Sequence, residues 1–391
     1  MADTLITLLI SDQTVPNVQF LKWFFSGQKQ TVDLLFMSTE KMEEKKKSLN
    51  IINALECSET HIASWKVIKV EENNVDDVYQ KLDDLFSDWQ HESFILNMTG
   101  GTKLMSLAAY TYFQDKEDIQ IFYQPINQNL QRIYPEYQEY SIPDFITVEE
   151  YMKAHGIDFK YDNFCLKDYD YNKTVYKNVI EANREFIKPI VAMQNNSYFK
   201  SIFKRKDTID FLQVPDEKFV TPQGERIDKE NVCSTISKFG FDVTNVSKAE
   251  LKYITGGWFE EFVYQKIKAE LNLADKKIAL NVHIEKENDK NELDVVYIKN
   301  NQLHVIECKS FLDGEDGSKI LTDALYKLQA IIKSKFGLNA KYKTTNIVGN
   351  KISIIGKPTL NQSKKLKSSS FAAIIFGGDP TKVPSPPILA E

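Results

Sequence analysis

Three residues in the last third of the chain have the types and spacing that phosphodiester hydrolysis requires. Asp294 lies in residues 291–299, and Glu307 and Lys309 lie in residues 302–310. Neighbouring carboxylates bind Mg²⁺ or Mn²⁺, and such an ion stabilises charge on a scissile phosphate and lowers the pKa of a bound water. A lysine beside them orients that water or neutralises the phosphate. These residues therefore predict a divalent-metal-dependent nuclease.

The same two segments predict the geometry of this site. Both alternate apolar and polar residues, and the Asn-Asn pair between them suits a tight hairpin. In such a hairpin Asp294 lies opposite Glu307, and Glu292 lies opposite Lys309, on one face of the sheet. Two carboxylates facing each other, with Cβ atoms roughly 5 Å apart, repel unless a cation lies between them. The hairpin therefore predicts that Asp294 and Glu307 bind the metal.

A helix before the hairpin is expected to supply a third carboxylate, and two adjacent glutamates compete for this role. Glu260 shares an apolar stripe with Val263 and Ile267 that would face the sheet. Glu261 lies on the side of Gln265. We therefore predict Glu260 as the third metal ligand and catalytic carboxylate.

A Glu-x-Lys segment alone is typical of a solvated strand face. Here it follows a helix carboxylate and an aspartate in a fixed order, with twelve residues between Asp294 and Glu307. That order is more specific and fits few other chemistries. Glu292 belongs to the predicted catalytic set with two roles open, because it can support the site or simply pair with Lys309 or nearby charges.

The N-terminal part of the chain is predicted to be a Rossmann-like α/β domain over residues 1–140. Its apolar runs indicate buried strands, and helical patterns alternate with several of them. The predicted strands are residues 5–10, 31–37, 65–70, 94–97 and 119–123, and the predicted helices are residues 41–55, 75–89 and 102–114. Ligands of such open sheets bind where the strands end.

A second site is predicted at those strand ends. The segment Asn-Met-Thr-Gly-Gly-Thr-Lys at 97–103 follows a strand and opens a helix, so free backbone N–H groups and Lys103 would meet an anion there. The Walker A spacing is missing, and a glycine pair that only caps a helix is the alternative. The predicted ligand-binding residues are Ser11, Asp12, Gln13, Thr14, Asn17, Ser38, Thr39, Asn97, Thr99, Gly100, Gly101, Thr102 and Lys103.

The remaining chain divides into a helical connecting region, residues 141–245, and an α/β nuclease domain, residues 246–391. Residues 147–150 have capping-box spacing, which predicts the start of a short helix. Residues 246–391 contain 22 lysines and 17 acidic residues, a net charge of +5, whereas the whole chain carries −6. The charge division is consistent with a polyanionic substrate that meets only the C-terminal domain.

The composition indicates a cytoplasmic protein. Four scattered cysteines without CxxC spacing argue against a disulfide framework or a structural zinc site. The first apolar run, residues 5–10, lacks a preceding basic region and is too short to cross a bilayer. No membrane association is expected.

The sequence resembles the ancillary effectors of type III CRISPR systems that join a CARF domain to a restriction-endonuclease-like domain of the PD-(D/E)xK kind. The resemblance is carried by SDQTVPN after the first predicted strand, NMTGGTKLMSLAAY after the fourth, GGWFEEFVY, and NELDVVYIKNNQLHVIECKS. It covers the first 140 and the last 145 residues, and the middle only through ITVEEYMKAHGI.

This resemblance implies a homodimer whose CARF domains bind a cyclic oligoadenylate, usually cyclic tetra-adenylate. Binding would activate metal-dependent, non-specific cleavage of DNA, RNA or both in antiviral defence. Ligand contacts would come from residues 11–17 and 97–103, and catalysis from Glu260, Asp294, Glu307 and the lysine at 309. The alternative is a ligand-sensing regulator that binds nucleic acid through its middle helices and has an inactive nuclease-like domain.

Overall fold

The computed structural model describes residues 2–27, 30–55, 61–126, 129–181, 187–194, 196–221, 224–286, 289–309, 326–336, 341–348 and 351–356. The end of the predicted nuclease domain, residues 357–391, lies outside the described residues. No helix in the described part is long and apolar enough to cross a membrane.

The N-terminal domain is built on a seven-stranded sheet of order β3-β2-β1-β4-β5-β6-β7. Its strands are β1 (Thr4–Leu9), β2 (Val32–Ser38), β3 (Ile62–Lys69), β4 (Ser93–Asn97), β5 (Ile119–Tyr123), β6 (Leu130–Tyr134) and β7 (Gln138–Tyr140). The first five run parallel, and β6 and β7 are antiparallel additions. Every residue of β1 and β2 is buried, which confirms that uninterrupted apolar runs mark the sheet centre.

Five helices cover this sheet: α1 (Val15–Gly27), α2 (Glu40–Glu44), α3 (Lys47–Leu55), α4 (Val75–Asp88) and α5 (Lys103–Phe113). Helix α1 was not predicted, and Asn17, assigned to a loop, lies in its first turn. The helix predicted over residues 41–55 is divided at Lys46, whose φ of 54° is incompatible with a continuous α-helix. Strand β3 is a largely exposed edge strand, unlike the covered strand that was predicted.

The middle of the chain is mostly helical. Its elements are α6 (Val148–Ala154), β8 (Asp158–Lys160), α7 (Tyr169–Glu181), α8 (Ile187–Met193), α9 (Ser197–Ile202), β9 (Thr208–Ile209), the 3₁₀ turns Phe211–Gln213 and Asp216–Lys218, α10 (Lys229–Lys238), β10 (Val246–Ser247) and α11 (Lys248–Lys252). The predicted capping box is present, with Thr147 and Glu150 exchanging side-chain and backbone hydrogen bonds at the start of α6.

The C-terminal domain contains a six-stranded sheet of order β15-β14-β13-β12-β11-β8. Its elements are the π turn Tyr253–Gly257, α12 (Trp258–Glu270), the 3₁₀ turn Asp275–Lys277, β11 (Ile278–Lys286), β12 (Asp289–Lys299), β13 (Gln302–Lys309), helical residues 326–331, the π turn Ile332–Phe336, β14 (Lys341–Val348) and β15 (Lys351–Gly356). Among the described strands of this sheet, β13 and β14 pair in parallel and the other neighbours pair antiparallel. Strand β8, from the middle of the chain, completes this sheet.

One hydrophobic core joins the two sheets. It includes Phe20 of α1, Tyr151 of α6, Val296 of β12, Val305 of β13 and Phe336, all buried. Helix α6 therefore lies between the N-terminal domain and the C-terminal sheet. Close-packed cores have low compressibility and transmit strain. A displacement in one domain can therefore be transmitted to the other through these contacts.

Candidate functional site

The hairpin of β12 and β13 has the register expected from the sequence. Val295 pairs with Ile306, and the ladder continues to Lys299 and Gln302. The two turn asparagines have φ of 52° and 55°, the left-handed backbone of a tight hairpin turn. One step beyond the ladder, Asp294 accepts a 2.6 Å hydrogen bond from the N–H of Cys308, which places its carboxylate beside Glu307.

Asp294 and Glu307 are buried, with exposed fractions of 8% and 4%. Burial, together with the nearby charges of Glu260 and Glu307, raises the pKa of Asp294 to about 8. Burial also raises the pKa of Glu260, and the charges of Glu292 and Glu307 add to the effect. The ionised cluster is therefore costly without a cation, because buried like charges repel.

The structure places the two adjacent helix glutamates in different surroundings. Glu260 lies beside the hairpin carboxylates, where its charge raises the pKa of Asp294. Glu261 faces away and accepts hydrogen bonds from the backbone N–H groups of Leu166 and Lys167, at 2.9 and 3.2 Å. Glu261 is buried, because the segment before α7 covers that face of α12.

Two lysines contact Glu307. The Nζ of Lys309 donates to Glu307 Oε1 at 2.6 Å, and the Nζ of Lys327 lies 3.8 Å from the same oxygen. Although burial opposes it, the charges of Asp294 and Glu307 raise the pKa of Lys309, so this lysine stays protonated. Sequence reasoning missed Lys327, which belongs to a helical segment that no catalytic spacing marks.

Glu292 is at the margin of the cluster. Its side chain is 46% exposed, and its carboxylate lies 4.0 Å from the Nζ of Lys252 in α11. The sequence left the partner of Glu292 open, with Lys309 and residues 288–290 as the candidates. In the structure its ion-pair partner is Lys252, at the end of α11.

The donor set fits a divalent cation that is held partly by solvent and substrate. Among the described residues, no three Asp, Glu, His or Cys side chains are already gathered as a metal-binding group. However, Oε2 of Glu307 is buried and has no hydrogen-bond partner in the described part of the chain. Mg²⁺ commonly uses one or two protein carboxylates and completes its shell with waters and phosphate oxygens. Asp294 and Glu307 suit that binding mode, with Glu260 nearby.

The predicted sensor site lies where β1, β2 and β4 end, because these strands are adjacent in the sheet. Gly100 approaches β1 so closely that a Cβ would lie 2.0 Å from the carbonyl oxygen of Leu9. Gly101 has a φ of 73°, which favours glycine. Thr102 accepts a hydrogen bond from the N–H of Met105 and caps α5, and Lys103 is exposed. Both glycines therefore have a structural role, because they let this loop pack closely against β1.

Several predicted ligand residues are occupied by internal hydrogen bonds. Thr14, Asn17 and Asn97 are at most 1% exposed and form such bonds. Ser38 is also fully buried, but its Oγ has no hydrogen-bond partner among the described residues. Asn97 donates to Asn17 at 2.9 Å, and the Thr14 hydroxyl donates to the carbonyl of Ala154 in α6. These side chains position the loops around them.

The remaining predicted ligand residues are more accessible. Ser11, Gln13, Thr39 and Thr99 are partly buried, whereas Asp12 is exposed. Asp12 forms an ion pair with Lys45, another residue that the sequence pattern did not mark.

A hydrogen-bonded chain that the sequence did not predict runs from the predicted sensor site to the turn of the β12–β13 hairpin. Thr99 Oγ1 accepts from the backbone N–H of Gln124 at 3.0 Å, and Gln124 Nε2 donates to Gln19 Oε1 at 3.1 Å. Gln19 Nε2 then reaches the carbonyl of Asn301, in the turn of the nuclease hairpin, at 3.4 Å. The contact joins residues 282 positions apart, so no local pattern could reveal it.

Solved structures with similar folds include protein VC1899 from Vibrio cholerae, with a TM-score of 0.65, 19% identity, and 88% of both chains covered. Can2 from Sulfobacillus thermosulfidooxidans in complex with cyclic tetra-adenylate gives a TM-score of 0.59 and 24% identity, covering 86% of this chain and 88% of that one. A type III CRISPR defence DNA nuclease activated by cyclic oligoadenylate gives 0.52 and 14%, covering 87% of this chain and 44% of its own. These likenesses establish the fold.

Among curated protein sequences, none matches this chain. Three family models match consecutive segments: the Card1 CARF domain at residues 5–151, the Card1 hinge domain at residues 162–248, and the Card1-like endonuclease domain at residues 247–372. Together they account for the sensor sheet, the helical middle and the sheet that carries the carboxylates. The chain therefore belongs to the Card1 family, the effectors of type III CRISPR systems that join a CARF domain to an endonuclease domain.

Proposed function

We propose that this protein is a divalent-metal-dependent endonuclease that a cyclic oligoadenylate, specifically cyclic tetra-adenylate, switches on. The observation that carries the proposal is a cluster in the endonuclease domain in which the buried carboxylates of Asp294 and Glu307 lie beside the partly buried Lys309 and Glu260. A buried set of repelling carboxylates is a liability for stability, so its presence favours a catalytic use.

In this proposal Asp294 and Glu307 hold Mn²⁺ or Mg²⁺, and Glu260 completes the cluster. The ion would supply charge stabilisation on the phosphate and a water of lowered pKa. Lys309, held 2.6 Å from Glu307, would donate to the attacked phosphate or to the attacking water. The Cys308 N–H keeps the Asp294 carboxylate oriented toward the site.

The proposed activator site lies at the strand ends around Lys103 and the start of α5. Helix N-termini and lysines attract phosphates, so both features suit a phosphate-linked ring. A symmetric ring suits a two-fold interface, which is why the proposal includes a homodimer in which each subunit contributes one such site. Leu107, 57% exposed on α5, is an apolar residue available to the second copy.

The activator signal is proposed to travel through the chain Thr99, Gln124, Gln19 and Asn301. The side-chain oxygen of Asn301 also accepts a hydrogen bond from the backbone N–H of Ile146 at 2.9 Å, so the segment before α6 holds the hairpin turn as well. Activation requires that the ligand bind the cleavage-competent arrangement better than the idle one.

The test is a cleavage assay on single-stranded RNA, single-stranded DNA and supercoiled plasmid, with Mn²⁺ or Mg²⁺, with and without cyclic tetra-adenylate. Cleavage that needs metal and activator together is the expected result, and it identifies the substrate. Cleavage that ignores the activator would remove the sensor part of the proposal. Absence of cleavage under every condition would favour the regulator with an inactive nuclease-like domain.

Metal binding is expected to stabilise the folded protein. A cation relieves the repulsion among the carboxylates, and a ligand at about a hundred times its dissociation constant adds about 2.7 kcal/mol to the unfolding free energy. Differential scanning fluorimetry should show the melting temperature rising by several degrees with Mn²⁺. The Asp294→Asn variant should lose this rise in melting temperature. The control variant Glu285→Gln, which alters a half-exposed carboxylate of the same sheet, should keep it. An equal rise in Asp294→Asn would refute metal binding at this cluster.

A further inference from the structure

We infer that Lys327 is a further substrate-binding residue of the nuclease centre, whose ammonium group binds a phosphate of the nucleic acid beside the scissile bond. The inference rests on the proposed nuclease function and extends it to a residue outside the Asp, Glu-x-Lys pattern. Lys327 Nζ lies 3.8 Å from Glu307 Oε1.

The contact between Lys327 and Glu307 is poorly suited to a structural role. At 3.8 Å it is longer than a hydrogen bond, and the same carboxylate oxygen already accepts from Lys309 at 2.6 Å. The Lys327 side chain is 47% exposed, and ion pairs of that kind contribute little to folding. The ammonium group therefore lies at the solvent side of the site, where substrate arrives.

The carboxylates of the proposed nuclease centre leave a role for an additional cation in binding a polyanionic substrate. The carboxylates of Asp294, Glu307 and Glu260 are close together, and Lys309 is held among them. Even with a divalent ion, this balance leaves little positive charge to attract a polyanion. Lys327 adds a positive charge on the open side, and long-range attraction of this sign speeds substrate capture.

The position of Lys327 is fixed by the segment that carries it. Leu328, Ile331 and Ile332 are buried, and their spacing of three and four residues turns one face of the segment into the shared core. Lys327 lies at the edge of that face. Its backbone is therefore held against the catalytic sheet while its side chain stays exposed.

The far end of the same segment is anchored as well. Phe336 is fully buried against Tyr151 of α6, with ring centroids 6.2 Å apart. The Nζ of Lys335 reaches the carbonyl oxygen and the carboxylate of Asp289, at the start of β12, at 3.2 and 3.0 Å. The segment thus touches both the catalytic strands and the helix that contacts the sensor loop.

The experiment measures nucleic-acid binding apart from cleavage. In the full-length protein carrying Asp294→Asn, Lys327→Gln is compared with Lys333→Gln, a control that removes an exposed lysine of the same segment. The probes are a fluorescein-labelled single-stranded DNA and the same strand as RNA, followed by anisotropy over a range of salt. Lys327→Gln should weaken binding roughly tenfold, the effect of losing one charged hydrogen bond.

The salt dependence of binding shows whether the lost affinity comes from a lost phosphate contact. Losing one phosphate contact on these single-stranded probes should reduce the slope of log affinity against log salt by about 0.7. Lys327→Arg should restore most of the affinity because it keeps the charge. If Lys327→Gln matches Lys333→Gln in affinity and slope, the inference is overturned. That result leaves the proposed nuclease untouched, since cleavage by the unmodified protein is judged separately.

Discussion

Glu307→Gln is expected to reduce cleavage at least roughly a thousandfold and to leave cyclic tetra-adenylate binding unchanged. The substitution keeps the size of the side chain but removes the charge that faces Asp294 and holds Lys309 at 2.6 Å. Metal-ion catalysis is worth several kcal/mol, and each 1.36 kcal/mol is about tenfold in rate. Initial rates on the preferred substrate, with saturating metal and activator, measure this loss.

The controls for this variant are chosen from the same sheet. Glu285→Gln removes a carboxylate that pairs with Lys290 on the surface, and it should retain full activity. Glu292→Gln should have a much smaller effect than Glu307→Gln, because Glu292 is half exposed and pairs with Lys252. Cleavage that survives in Glu307→Gln would show that the reaction does not use this cluster.

Gln19→Met is expected to uncouple the sensor from the nuclease. Methionine has a similar length but cannot bond Gln124 or the carbonyl of Asn301, so the hydrogen-bonded chain from the sensor site to the hairpin turn is broken. Allosteric coupling is typically worth 5- to 150-fold. The stimulation by cyclic tetra-adenylate should therefore fall roughly tenfold, with ligand affinity little changed.

The matched control is Gln30→Met, which removes a glutamine bonded to Thr4 elsewhere in the same domain. Melting temperatures of both variants check that the effect is not a loss of folded protein. If Gln19→Met keeps full stimulation, this chain does not carry the signal. The contact of Thr14 with Ala154 in α6 would then be the next connection to test.

Much of the geometry of the β12–β13 hairpin was predictable from local sequence patterns. Period-two alternation and the Asn-Asn turn determine which strand residues face each other, so the register of β12 and β13 followed from spacing alone. Helical spacing was sufficient to place Glu260 toward the sheet. It did not show that Glu261 is buried, because the segment that covers Glu261 is nearly a hundred residues away in the chain.

At the predicted sensor site, local sequence patterns predicted the backbone elements but not the hydrogen bonds of the side chains. The glycine pair at 100–101 and the strand ends around it follow from local sequence, as do the buried strands β1 and β2. Whether a polar side chain there is free or already bonded depends on its neighbours in space. Asn17 and Thr14 illustrate this, since one bonds Asn97 and the other bonds α6.

Local sequence thus determined the α/β class, the order of sensor and nuclease, and the hairpin that carries Asp294 and Glu307. Periodicity encodes which face of an element is buried, and turn residues encode where the chain reverses. Neither encodes which distant surface an element meets. The contact of Gln19 with Asn301, the approach of Lys327 to Glu307 and the addition of β8 to the C-terminal sheet all depend on long-range packing, so only the tertiary structure decided them.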